Sequence, residues 1–194
     1  KTLMVLKEQA YDIILIGGSA GSIPVCVSLL KALKKDQPVP VVLIIHRMRN
    51  VVSELDKLLS KETGIKKITD PEDKQSISSG KVYLAPQNYH LLFEEDASFS
   101  LDYSDPIHYS RPSIDVSFES AALVYGTKVL AILLSGANAD GAKGLSLLAE
   151  LGADCWVQDP ATAEYPAMPS ASLALSEKVK VLTEDQMKER LHEL

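Results

Sequence analysis

An alcohol, an imidazole and a carboxylate, those of Ser19, His46 and Asp140, each stand just past one of the most apolar runs in this chain. A serine hydroxyl is a weak nucleophile at neutral pH; it needs a base to take its proton and a carboxylate to orient that base and stabilise its charge. The three side chains supply those roles: Ser19 as nucleophile, His46 as general base and then acid, Asp140 as the group that fixes the imidazole tautomer. The oxyanion of an attacked carbonyl would be received by backbone N–H groups, that of Ala20 and one from the Ser135–Ala139 loop, with Ala137 as the candidate there.

Each residue also has a structural alternative. Gly17-Gly18-Ser19-Ala20-Gly21 matches G-x-S-x-G, but the same Gly-rich turn, opening a helix, could hold a phosphate, and Ser19 could be a plain turn or cap residue. It lacks both the G-x-G-x-x-G spacing and a P-loop Gly-Lys-Ser/Thr. Asp140 precedes a helix and could be its N-cap, and His46, beside Arg47 and near Arg49, could be a solvated loop residue. His90 and His108 compete for the role of base but fall near a hairpin; His192 lies in the tail, and Asp115 suits a first-turn charge that favours the helix dipole. No His, Asp or Glu cluster has metal-ligand spacing, so neither a metal nor another cofactor is expected.

The elements that must position these groups follow from the apolar pattern. Ile13–Ile16, Val39–Ile45 and Lys128–Leu134 are apolar without alternation, as in parallel strands covered on both faces. Gly17, Gly18 and Gly21 are expected to take positive φ in the turn after the first strand, and Pro24 suits the first turn of a helix running to Lys35. Ser53 can cap a helix closed by Gly64, and residues 65–69 suit a short strand. The His90–Phe93 and Ser98–Tyr103 runs, around a polar turn at Glu94–Ala97, predict an antiparallel hairpin attached to the sheet. Ser113 opens a helix that stops at Gly126; a further helix ends at Gly152, and a strand spans 153–157. A three-proline loop covers Gln158–Pro169, followed by a short helix over Ala171–Leu175 and a strand over Lys178–Leu182. Thr183 with Gln186 makes a capping box for the closing helix. Strands alternating with helices predict a doubly wound, mainly parallel, Rossmann-like α/β sheet, whose strands all end on one ligand-binding edge.

Bulk composition narrows the class. The 194 residues, 46% hydrophobic and 24% charged, fit one globular domain over 1–194. A net charge of −6 with no basic run argues against nucleic acid as a partner. Cys26 and Cys155 lie far apart in periodic segments, as reduced, buried thiols would. No run approaches the ~18 apolar residues of a membrane span, and Lys1–Lys7 is too short for a signal peptide, so no membrane insertion and a cytoplasmic location are expected.

Five ordered segments carry a resemblance. Ile16-Gly17-Gly18-Ser19-Ala20-Gly21-Ser22, His46-Arg47-Met48, Gly80–Pro86 followed by His90, Arg111-Pro112-Ser113-Ile114-Asp115 and Ser135–Ala142 are similar to motifs of the CheB-type chemotaxis protein-glutamate methylesterases. The late stretch from Gln158-Asp159 to Met168-Pro169 resembles that family's M-P segment. The resemblance covers nearly the whole chain and implies a serine hydrolase using Ser19, His46 and Asp140. Its substrates would be glutamate methyl esters on methyl-accepting chemotaxis receptors, with methanol released and certain glutamines deamidated. Arg111 would shape the acidic-substrate side or make a structural salt bridge. Ala20 stands where the family has Thr, Ser22 where it has Gly, Ala137 where it has Met and Ser110 where it has His. A receiver domain, usual in the family, is not expected within these residues, though it or another signalling protein would be a natural partner. A catalytically weak receptor-docking module and a nucleotide-binding domain are the competing expectations.

Overall fold

The computed structural model describes residues 11–194. The expectation placed on Lys1–Lys7 lies outside them. In chain order the elements are β1 (Ile13–Gly18), α1 (Ile23–Ala32), β2 (Val41–Ile45), α2 (Leu55–Thr63), β3 (Ile68–Thr69) and β4 (Val82–Leu84). There follow β5 (His90–Phe93), β6 (Phe99–Asp102), α3 (Ile114–Tyr125), a 3₁₀ turn at Gly126–Lys128, and β7 (Val129–Leu133). The chain closes with α4 (Ala142–Leu151), β8 (Asp154–Gln158), α5 (Ala167–Leu175), β9 (Lys180–Leu182) and α6 (Glu184–His192).

Among the described residues seven strands form one sheet in the order β3-β4-β2-β1-β7-β8-β9, with every neighbouring pair parallel. Successive side chains on a strand point to opposite faces, so the unbroken apolar runs feed two cores. Ile13 and Leu15 of β1 join α3, α4 and α5 through Ile114, Phe118, Leu145, Leu148 and Met168. Ile14 and Ile16 face α1, α2 and α6 through Cys26, Leu29, Leu59, Met187 and Leu191. The strand order reverses between β1 and β7, which makes a crevice at the C-terminal ends of the central strands.

Three expectations are corrected. The β5–β6 hairpin is not attached to the main sheet; it forms its own two-stranded sheet and packs on α3 through Phe93, Ser117 and Ser120. Of the three glycines in the first turn only Gly21 has positive φ, at 75°. Gly17 is required by close packing instead, since a Cβ there would lie 2.6 Å from Ile114 Cγ2 and 3.2 Å from the Phe118 ring; at Gly18 it would strike Ser22. Ser53 is not the cap of α2: Glu54 holds that position, and the Ser53 hydroxyl accepts a bond from Leu55 N at 3.3 Å. The capping box at Thr183 and Gln186 is formed, and Gly126 and Gly152 end their helices as expected.

Candidate active site

Adjacent strands deliver the three sequence-picked side chains to one place. At the tip of β1 the chain is held from both sides: His46 N donates to Gly18 O at 3.0 Å, and Ser19 N donates to Ser135 O at 2.9 Å. Ser22 N and the Ser22 hydroxyl both donate to Ser19 O, closing the turn that lifts the Ser19 side chain out of the sheet. His46 follows β2, and Asp140 arrives on the loop after β7.

The imidazole bridges the other two groups. Its Nδ1 lies 3.2 Å from Ser19 Oγ, and its Nε2 lies 2.7 Å from Asp140 Oδ2. The ring thus presents its nitrogens in the order opposite to that of the chymotrypsin-like arrangement, in which Nε2 faces the serine. With the proton on Nε2 donated to the carboxylate, the Nδ1 lone pair faces the hydroxyl.

Asp140 is fully buried and accepts from four donors. Besides His46, these are the Ser113 hydroxyl at 2.8 Å, Ile114 N at 2.7 Å and Asp115 N at 3.0 Å. The last three form the N-terminus of α3, where free N–H groups and the helix dipole favour an anion. Burial pulls the Asp140 pKa upward, but the bonds from His46, Asp115 and Ile114 outweigh it and hold the carboxyl below its ordinary value. Asp140 therefore does not cap the helix that follows it. Gly141 is the N-cap of α4 and gives no side-chain bond.

The oxyanion candidates lie on the two loops that flank the nucleophile. Ala20 and Ala137 are both exposed, and neither N–H meets an acceptor within the described residues. A cleft of about 410 Å³ opens beside Ser19 and His46, lined by Ile23, Ile45, Met48, Val51, Val52 and Leu55 among others. Arg47 also lines it, but its guanidinium is turned to the Ala85 carbonyl and to Asp70 at 3.0 Å.

The competing histidines have other partners. His90 is buried, with Nε2 on Asp105 O at 3.0 Å, while Nδ1 accepts from Ser113 N at 3.1 Å. It steadies the cap residue that in turn holds Asp140. His108 Nε2 lies 3.4 Å from Asp115 Oδ2. Together His108, Asp115 and Asp140 bring one ligand-type atom each within 4.8 Å of one another. A cation there would have to displace donors already bound to Asp140. Asp115 does lie in the first turn of α3, as expected, but it is buried there, its Oδ1 accepting from Gly144 N at 2.9 Å. Arg111 makes no salt bridge among the described residues; it stacks 3.8 Å over the Tyr103 ring and donates to the carbonyls of Tyr103 and Ser104.

Ser113 and Asp115 were missed as parts of the site by reasoning from sequence. The Arg-Pro-Ser-Ile-Asp segment carries part of the family resemblance, but nothing local in it says that its helix end points at a carboxylate from another strand.

Fold and geometry together define a doubly wound α/β protein with a Ser-His-Asp constellation at its topological switch point. Residues 14–191 match the family described as CheB methylesterase, and the chain belongs to that family. A Leptospira interrogans protein, provisionally named protein-glutamate methylesterase/protein-glutamine glutaminase, is 41% identical over 92% of this chain and 92% of its own length. A Saccharophagus degradans protein of that name, without the qualifier, is 34% identical over 92% of this chain, which spans only 49% of it. Among solved structures, the Thermotoga maritima CheB methylesterase catalytic domain superposes with a TM-score of 0.84 at 28% identity, covering 94% of this chain and 98% of that one. No helix among the described residues is long and apolar enough to cross a membrane.

Proposed function

We propose that this chain hydrolyses glutamate methyl esters on chemotaxis receptors, with Ser19 as nucleophile, His46 as general base and acid, and Asp140 as its orienting carboxylate. The observation that carries the reading is the unbroken contact from Ser19 Oγ through the two His46 nitrogens to Asp140, at 3.2 and 2.7 Å. Both distances are within the reach that proton transfer needs. His46 Nδ1 takes the Ser19 proton as Oγ attacks the ester carbonyl, and the Ala20 and Ala137 N–H groups receive the oxyanion. The imidazolium, stabilised by Asp140, returns the proton to the departing methoxide, and methanol leaves. Water then attacks the acyl-enzyme with His46 again as base. A glutamine amide follows the same route with ammonia leaving, in keeping with the double name of the relatives.

We further assign residues 1–194 to one catalytic domain acting in the cytoplasm, where receptor methylation sites lie. The span of the family match, 14–191, and a sheet that uses strands from residue 13 to 182 support the single domain. The test is methanol release from methylated receptor by wild type and Ser19→Ala. The variant is expected to lose activity to background; equal rates would end the serine mechanism.

A further inference from the structure

Two acidic residues at this site serve each other's helices. Asp140 sits on the loop that leads into α4, yet its carboxylate closes the N-terminus of α3. Asp115 sits in the first turn of α3, yet its carboxylate accepts from Gly144 N in the first turn of α4 at 2.9 Å, with a further contribution from the Gly141 N–H. From this exchange we infer that Asp115 is a positioning residue for the hydrolysis, setting the β7–α4 loop so that Asp140 meets His46; the inference rests on the esterase reading above.

The need for such a group follows from the local chain. The α4 N-cap is Gly141, in the left-handed region at φ 89°, and it has no side chain with which to cover the free N–H groups beyond it. The two helices touch here: a Cβ on Gly144 would lie 2.6 Å from Phe118 Cβ and 3.0 Å from Asp115 O. Gly144 is buried, so its N–H needs a protein acceptor, and Asp115 provides it. Without it the start of α4 is free to shift, and with it Asp140, which stands two residues before that helix. A displacement of about 1 Å at a reacting centre costs on the order of 10²-fold in rate.

Capping requires an oxygen and not a charge. Among the described residues the other Asp115 oxygen accepts no hydrogen bond; His108 Nε2 lies 3.4 Å from it, and the Asp140 carboxylate is close by. The test measures kcat and KM for methanol release in Asp115→Ala and Asp115→Asn, each also combined with Asp140→Asn. Alanine should lower kcat about 10²-fold and leave KM within about twofold. Asparagine, which keeps the acceptor, should restore kcat to within about threefold of wild type, a rescue that loss of fold alone would not produce. If Asp115 acts through Asp140, the alanine effect should nearly vanish in the Asp140→Asn background. Should the alanine variant not fold, Asp115→Val, which is of similar size and also lacks an acceptor, takes its place and must fall below asparagine in kcat. An alanine variant as active as wild type, an asparagine variant as impaired as alanine, or an undiminished loss in the Asp140→Asn background would overturn the inference. Retained activity in Ser19→Ala would instead overturn the serine mechanism, and absence of methanol release by the wild type would overturn the esterase reading, so the failures are distinct.

Discussion

At the scale of single residues, the carboxylate is the most constrained member of the site. Asp140 has no exposed surface, and its four donors come from β2's successor His46 and the N-terminus of α3. An amide at this position would point an NH₂ group at donors and favour the wrong imidazole tautomer. Asp140→Asn should therefore lower kcat on the order of 10⁴-fold, by analogy with serine proteases, and steady-state methanol release measures it directly. The depressed pKa has a stability consequence with a definite sign. The ionised carboxyl stabilises the fold above its unfolded pKa, near the ordinary 3.8, and that contribution is lost as pH falls through the lower folded value. The difference in Tm between wild type and Asp140→Asn should therefore be full at pH 5–7 and shrink below about pH 3.8; thermal melts across that range are the check. That Ser19, His46 and Asp140 meet was legible in sequence because each follows an apolar strand, and parallel strands end on one edge. The donors around Asp140 were not, because hydrogen-bond partners contributed by a helix 25 or more residues away leave no local periodic trace.

Elements set what the site can engage. The loop after β2 displays Met48 at 75%, Val51 at 50% and Val52 at 92% exposure, all lining the cleft that contains Ser19 and His46. Apolar side chains left in solvent beside Ser19, the proposed nucleophile, suit a substrate that covers them, and burying one is worth about 1.5 kcal/mol or more. Met48→Asp with Val52→Asp should raise KM for methylated receptor about tenfold or more with a smaller change in kcat, read from the two parameters separately. Gly17 makes the opposite case, of a position with no spare room: alanine there would press on Ile114 and Phe118 of α3. Gly17→Ala should cost about 1–3 kcal/mol in chemical denaturation. Alternation of apolar runs with helical spacing was enough to read the doubly wound sheet and the capping of α3 and α6. It misjudged α5, expected from Ala171 but beginning at Ala167, because Pro169 reads as a loop residue yet fits the first turn of a helix, where its missing N–H is no loss. Likewise the hairpin's separation from the sheet depends on how it packs against α3, a contact between distant segments that turn residues do not encode.

For the molecule as a whole, the parallel sheet separates two apolar layers, and each layer contains one free thiol. Cys26 on α1 belongs to the α1–α2–α6 side and Cys155 on β8 to the α3–α4–α5 side. Burial pushes both thiols up to about 12, so neither supplies thiolate at neutral pH while the layer over it stays closed. Their reaction with an aromatic disulfide reagent therefore reports the opening of each layer. Both layers rest on the same strands, with β1 giving Leu15 to one core and Ile16 to the other, so neither can open far while the sheet persists. The Cys26→Ser and Cys155→Ser variants each leave one reporter, and the two should label at a common rate that rises steeply with denaturant, as global unfolding requires. Faster labelling of Cys155 alone, with little dependence on denaturant, would mean that the α4–α5 side opens independently. The loop that carries Asp140 would then belong to a locally mobile unit and not to the rigid frame on which the proposed alignment of Ser19, His46 and Asp140 depends.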